Sequence, residues 1–344
     1  MYVTPRPSPV DDPLYAMRLG LTGTLAYLAI PILNPALPPI IAALPVGLIA
    51  AQRKAFNPAK MIAAPIVMIV LTALMTWLVE QMRPMPAVYV GAMWLIYFMA
   101  FREILRTGAP LGMLIIIVAV LMSVMGMHGS ATVEAMRDNF MMAAIVAFVV
   151  GPIVYLVLPA RTAEKHIDEP VPSPGNINIG AGIRASVLLL LSFWLYAVMQ
   201  PADMMMAMVA AMVIVFPTRT RVWDEAMQRV RATFYGVGIA ALILFAFTFS
   251  QHLLPVLCML FLAGLYLGQK MFYGRHPSMV YQYAYSVVLS LVAGALSTQD
   301  AAYSSFTRIA LTIAGAFSAA ALVALLDLWT RWFEAHETQN APAV

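Results

Sequence analysis

Residues 229–247 read RVRATFYGVGIAALILFAF, two arginines followed by an almost unbroken apolar run. The run continues the length that a helix needs to cross a bilayer, about 20 residues at roughly 1.5 Å each over about 30 Å of hydrocarbon. An arginine at the head of such a run is costly to bury, so its placement carries information. The same frame returns at 308–315 as RIALTIAG, so that both stretches read R-x-x-x-T-x-x-G.

Working outward, apolar runs of this kind fill the chain. Of 344 residues, 62% are hydrophobic and only 10% charged, and the mean hydropathy is +0.84, far outside the range of a soluble domain. The expected fold class is an all-α polytopic membrane protein with about twelve transmembrane helices in two tandem six-helix repeats. The expected crossings lie near 15–31, 36–51, 59–80, 86–101, 109–127 and 138–158, then near 182–199, 202–217, 230–250, 252–268, 279–297 and 307–328. Pro35, Pro38, Pro39 and Pro45 break the second of these, and Asn34 with Pro35 and Pro38 reads either as a broken helix facing a cavity or as a tight outer turn. The organisation expected is a first repeat over 1–160, a polar, proline- and glycine-rich cytoplasmic linker over 161–181, and a second repeat over 182–344 ending in a short cytoplasmic tail.

Charge sets the orientation. Arg6, Arg18, Arg53, Lys54, Lys60, Arg102, Arg106, Arg161, Lys165, Arg184, Arg219, Arg221, Arg229, Arg231, Lys270, Arg275 and Arg331 fall on one side of the expected crossings, and Arg83, Arg137 and Arg308 on the other. By the positive-inside rule the first side is cytoplasmic, with both termini inside. The net charge of +4 therefore reports topology, and nucleic acid is not an expected partner. The start, MYVTPRPSPVDDPLYAM, lacks the basic region and short apolar core of a cleaved signal. The single Cys258 excludes an internal disulfide, and five scattered histidines offer no metal-ligand spacing, so no metal or cofactor is expected. No G-x-S-x-G, phosphate loop or paired catalytic carboxylates appear, and an enzyme is not expected.

The repeat is read from positions. Arg18 pairs with Arg184, Lys60 with Arg229 and Arg137 with Arg308, at offsets of 166, 169 and 171 by subtraction of those numbers. Within each half, the basic residues heading the third and sixth spans enter from opposite sides, which points to a three-plus-three inverted relation. On a helix Arg229, Thr233 and Gly236 form one stripe, and Arg308, Thr312 and Gly315 another. The small residues admit a neighbouring helix, while arginine at an N-terminal turn suits a carboxylate. The competing reading makes Arg229 an anchor snorkelling to headgroups, with the threonine and glycine only packing. Arg137 and Arg308 lie on the side depleted of positive charge, where the anchor reading loses its warrant; Glu134 and Asp138 are the local partners expected for Arg137, and Asp300 for Arg308.

Glu80, Glu103 and Asp327 are placed near span ends rather than at mid-depth. Asp224 and Glu225 are expected on a short amphipathic cytoplasmic helix, and the tryptophans are read as interfacial anchors. The methionine-rich ADMMMAMVAAM at 202–212 reads as lipid-facing or packing surface, with a surface for varied apolar ligands as the alternative.

The duplicated halves and the R-[IV]-x-x-T-x-x-G frame, followed by the small-residue runs GVGIAAL and GAFSAAAL, resemble the fusaric acid resistance and aromatic acid exporter family of bacterial inner-membrane proteins. Long members carry a cytoplasmic domain between the halves where this chain has only a linker, so it resembles a compact branch; Ala232 stands where the family often has glycine. The resemblance implies an efflux permease for small organic anions such as aromatic carboxylates or related drugs, in the inner membrane. A periplasmic membrane-fusion protein is the partner it implies, and homo-oligomerisation is left open. The site residues expected are Arg229, Thr233, Gly236, Arg308, Thr312 and Gly315, supported by Arg137 and Lys60. The alternative is a non-transporting membrane scaffold subunit of an envelope complex.

Overall fold

The computed structural model describes residues 12–50, 55–107, 110–162, 176–198, 222–298 and 321–322. Ten long helices run through them: α1 Tyr15–Leu33, α2 Pro38–Ala50, α3 Pro58–Met82, α4 Pro86–Thr107, α5 Pro110–His128, α6 Ser130–Val157, α7 Ile177–Val198, α8 Val222–Phe247, α9 Leu253–Tyr273 and α10 Ser278–Thr298. Nine of these are long and apolar enough to cross a membrane, so the protein is a multi-pass, all-helical membrane protein. The expected crossings near 202–217 and 307–328, and with them the count of twelve, lie outside the described residues, as does the methionine-rich stretch.

Several boundaries differ from expectation for physical reasons. α6 begins at Ser130 rather than near 138, and α4 runs on to Thr107, because polar turns continue a helix beyond the hydrocarbon at no cost in water. α7 begins at Ile177, inside the expected linker, where the side-chain oxygen of Asn176 accepts hydrogen bonds from the N–H groups of Asn178 and Ile179. Asp224 and Glu225 belong to the first turn of α8 itself and not to a separate surface helix.

The turn after α1 is tight. Asn34 adopts the left-handed conformation, φ 45° and ψ 57°, and its N–H returns to the Ile30 carbonyl. The Leu37 N–H donates to the Asn139 side-chain oxygen of α6 at 2.8 Å, and the Asn139 amide donates to the Ala135 carbonyl, so the start of α2 is satisfied inside the bundle. At 13 residues α2 is about 20 Å long, short of a full crossing. Ile40, Ile41, Ala42 and Val46 bury it, and it packs on α1, α6 and α10.

Packing elsewhere rests on small residues and buried hydroxyls. α1 crosses α9 where Gly20 meets Gly264 and Ala16 meets Gly268. The Tyr285 hydroxyl of α10 sits over that crossing, within 3.3 Å of the Gly20 carbonyl and 3.2 Å of the Leu260 carbonyl. α4 crosses α7, where Trp94 Nε1 donates to Ser186 Oγ at 3.0 Å and the Trp94 ring stacks on Phe98. Trp94 thus makes an interhelical contact. Between α4 and α5 the Tyr97 hydroxyl pairs with Ser123 Oγ and the Tyr89 hydroxyl donates to the Ser123 carbonyl, both at 2.7 Å. α3 packs on α5 and α6, and α8 packs on α10.

Candidate functional site

The two ends of the bundle can be told apart from side-chain contacts. At one end Tyr15 of α1 meets Met271 and Phe272 of α9, the Arg18 guanidinium lies 4.4 Å from the Tyr155 ring of α6, and Phe56, ahead of α3, packs on Tyr155. Gly180 of α7 approaches Leu105 of α4, and Arg229 of α8 lies over Tyr283 of α10. This end therefore collects the starts of α1, α3, α7, α8 and α10 and the ends of α4, α6 and α9. Among the described residues it holds Arg18, Lys60, Arg102, Arg106, Arg161, Arg184, Arg229, Arg231, Lys270 and Arg275, while Arg83 and Arg137 lie at the other. The charge asymmetry read from the sequence corresponds to a real separation of the two faces.

Arg229, Thr233 and Gly236 do share one face of α8, and that face meets α10. A side-chain carbon added at Gly236 would fall 2.5 Å from Val287 Cβ and 2.8 Å from the Ala284 carbonyl, so glycine is needed for the helices to touch. Thr233 is buried. The Arg229 guanidinium lies 5.5 Å from the centre of the Tyr283 ring, within range of cation–π attraction, and the residue is only 9% exposed. It is drawn into the helix packing of α8 on α10.

The other expected site residues do not gather around it. Lys60 is the third residue of α3, where the Asn57 side chain caps its N–H. Arg137, on α6, lines a groove with Trp77, near the far end of α3. Seventeen residues of helix, about 25 Å, separate Lys60 from Trp77, so Lys60 and Arg137 cannot grip one small anion together. Arg137 pairs with Asp138, one of its two expected partners, Nη2 to Oδ1 at 2.9 Å. Arg308, Thr312 and Gly315 lie outside the described residues, as do Asp300 and Asp327.

Two further buried arginines stand at the basic end. Arg18, 1% exposed, forms an ion pair with the equally buried Asp12 and stacks on Tyr155. Arg184, 6% exposed, donates from Nη1 to the Gly180 carbonyl at 3.0 Å. The sequence marked both as heads of equivalent spans but not as buried; the signal available for Arg18 was Asp12, six residues ahead of it. Arg18 is the fourth residue of α1, and Arg184 and Arg229 are the eighth of α7 and α8, all at the same end; Arg229 is therefore past the N-terminal turn expected for it, where free N–H groups would suit a carboxylate.

An apolar bundle with most basic residues at one end and guanidinium groups buried among its helices is the construction of a polytopic membrane protein, and it fits a membrane transporter. Residues 190–322, less than half of the chain, match the family model described as fusaric acid resistance protein-like, and that segment contains both R-x-x-x-T-x-x-G frames. The match supports the family resemblance carried by those frames. No curated protein and no solved structure matches the chain.

Proposed function

We propose that the protein is an inner-membrane efflux permease, not an enzyme, for small organic anions such as aromatic carboxylates, with its basic end in the cytoplasm. The observation that carries this reading is Arg229, a guanidinium kept inside the helix packing of the segment that matches the family. A charge so placed is retained against its desolvation cost, which favours a role beyond anchoring. Arg229 serves as the inner contact for the anion and Arg308, in the second frame, as the outer one. A periplasmic membrane-fusion protein completes the export route.

The tandem arrangement of the halves is supported by helix pairing. If α7 repeats α1 and α9 repeats α4, the α1–α9 and α4–α7 crossings are counterparts, and so are the α3–α5 and α8–α10 pairs. Gly20 against Gly264 then answers to Ser186 against Trp94, at offsets of 166 and 170 by subtraction. Anion passage between the repeats would follow α2, the short buried helix that touches both.

The test is efflux of labelled aromatic carboxylates from cells expressing the protein with a membrane-fusion partner. Wild type is expected to export an acid, and Arg229→Ala and Arg308→Ala, at matched membrane abundance, to lose at least about tenfold in rate, as removal of a charge-assisted contact worth about 1.5 kcal/mol or more would cause. Unchanged efflux in both variants would sink the anion site. The scaffold reading has one observation in its favour: Gly236 packs directly on α10. It predicts envelope function that survives both substitutions.

A further inference from the structure

The groove that contains Arg137 has features that the transport reading does not use. It has a volume of about 450 Å³, opens between α3 and α6, and is lined by Ala73, Thr76, Trp77, Glu80, Arg137, Asp138 and Met141. Its depth follows from helix lengths. Lys60 to Glu80 is twenty residues of α3, about 30 Å, which is one hydrocarbon thickness. Tyr155, beside Phe56 at the basic end, is eighteen residues from Arg137 along α6, about 27 Å. The three charged groups therefore stand at the level of the opposite headgroups, with Trp77, 57% exposed, one turn below them, where tryptophan collects at a bilayer boundary.

Further along the same helices toward the membrane centre, Val70 and Leu74 on α3 and Ile145 and Phe148 on α6 are exposed apolar side chains. A ligand seated with its polar end among the charges would lay a chain along these. Arg137 spends Nε and Nη2 on Asp138, at 3.0 and 2.9 Å, and a guanidinium has five N–H donors, so several stay available to a phosphate oxygen. Glu80 is in no ion pair among the described residues and is an acceptor for a cation. One arginine against two carboxylates leaves the groove one unit negative. An anionic headgroup is disfavoured there, and a headgroup carrying both a phosphate and an ammonium group matches.

We propose that this groove binds a zwitterionic aminophospholipid, with its phosphate on Arg137, its primary ammonium on Glu80 and an acyl chain between α3 and α6. A primary ammonium has three N–H donors for the carboxylates, whereas a choline has none, so phosphatidylethanolamine is bound in preference to phosphatidylcholine. The site is independent of the anion-export reading.

The full-length protein in detergent, mixed with defined lipids and weighed by native mass spectrometry, tests it. Wild type is expected to retain phosphatidylethanolamine about fivefold or more over phosphatidylglycerol, the effect of one charge-assisted contact. Glu80→Gln should erase that preference, and Arg137→Gln should lower retention of both lipids. Ala73→Trp, which fills the groove and leaves every charge in place, should displace the lipid by bulk alone, so the conclusion does not depend on the arginine variant folding. Equal retention of both lipids by wild type overturns the proposal, as does an unchanged preference in Glu80→Gln or full retention in Ala73→Trp. Phosphoethanolamine retained as well as the lipid would make the ligand a soluble headgroup and overturn the lipid assignment.

Discussion

Replacing Gly264 with alanine tests whether the α1–α9 crossing holds the bundle together. The new Cβ would stand 2.5 Å from Gly20 Cα and 2.6 Å from Tyr285 Cζ and Oη. Carbon atoms rest at about 3.5–4.0 Å, so the two helices must part by about 1 Å or more. Overpacking of this kind costs about 1–3 kcal/mol. Parting also strains the Tyr285 hydroxyl contacts to the Gly20 and Leu260 carbonyls, at about 0.6 kcal/mol for a hydrogen bond between membrane helices. Alanine recovers about 0.5–1 kcal/mol of helix propensity, which leaves a net loss of about 1–3 kcal/mol. Gly238 on α8 is the control, because nothing lies within 4 Å of a Cβ added there. Gly238→Ala should gain the propensity term alone and stabilise the protein. Unfolding of the detergent-solubilised protein by sodium dodecyl sulfate, followed by circular dichroism, reads both midpoints. They should move in opposite directions, and a Gly264→Ala midpoint at or above that of Gly238→Ala would refute the account of this crossing.

Other substitutions probe the two ends of the bundle. Asn139→Leu removes the acceptor of the Leu37 N–H and should cost about 1–3 kcal/mol, which the same unfolding midpoints read. Asp12→Ala leaves the Arg18 charge buried without its counter-ion and should cost about 3–5 kcal/mol, and adding Arg18→Met should restore part of the loss. A double variant less stable than Asp12→Ala would contradict the ion-pair account.

Much of the helical plan was legible because its signal is local. A run of about 20 apolar residues has few alternatives to crossing the bilayer, since a backbone in hydrocarbon must satisfy its own hydrogen bonds. The tight turn at Asn34 was one of two readings left open, and its continuation into α2 is held by the Asn139 side chain, which receives the Leu37 N–H from 102 positions along the chain. Trp94 looked like an anchor because tryptophan prefers interfaces. Only the α4–α7 crossing, which brings Ser186 to its indole N–H, made it an interhelical contact.

The candidate site was less legible. Arg229, Thr233 and Gly236 share a face by helical spacing alone, but nothing local says that α10 covers that face. The sequence put Lys60 and Arg137 on opposite sides of the expected crossings, and the packing of α3 against α6 brings Arg137 beside Trp77, about 25 Å along α3 from Lys60. Asp12 and Arg18 are close in sequence, yet their burial depends on Tyr155, which α6 delivers from the other end of the first half.

The sequence by itself determined that the chain enters a membrane, where most of its helices run, and which end of them carries the positive charge. These follow from the composition of single segments, whose transfer from water to hydrocarbon depends on their own residues and hardly on their neighbours. Tertiary structure decided which helices touch, that Gly20 faces Gly264 and Gly236 faces Val287, and that Glu80, Trp77 and Arg137 come together in one groove. Inside a bilayer all apolar faces are nearly equivalent in transfer energy. Partners are therefore chosen by close approach, van der Waals contact and the few hydrogen bonds between helices, none of which is a property of one segment.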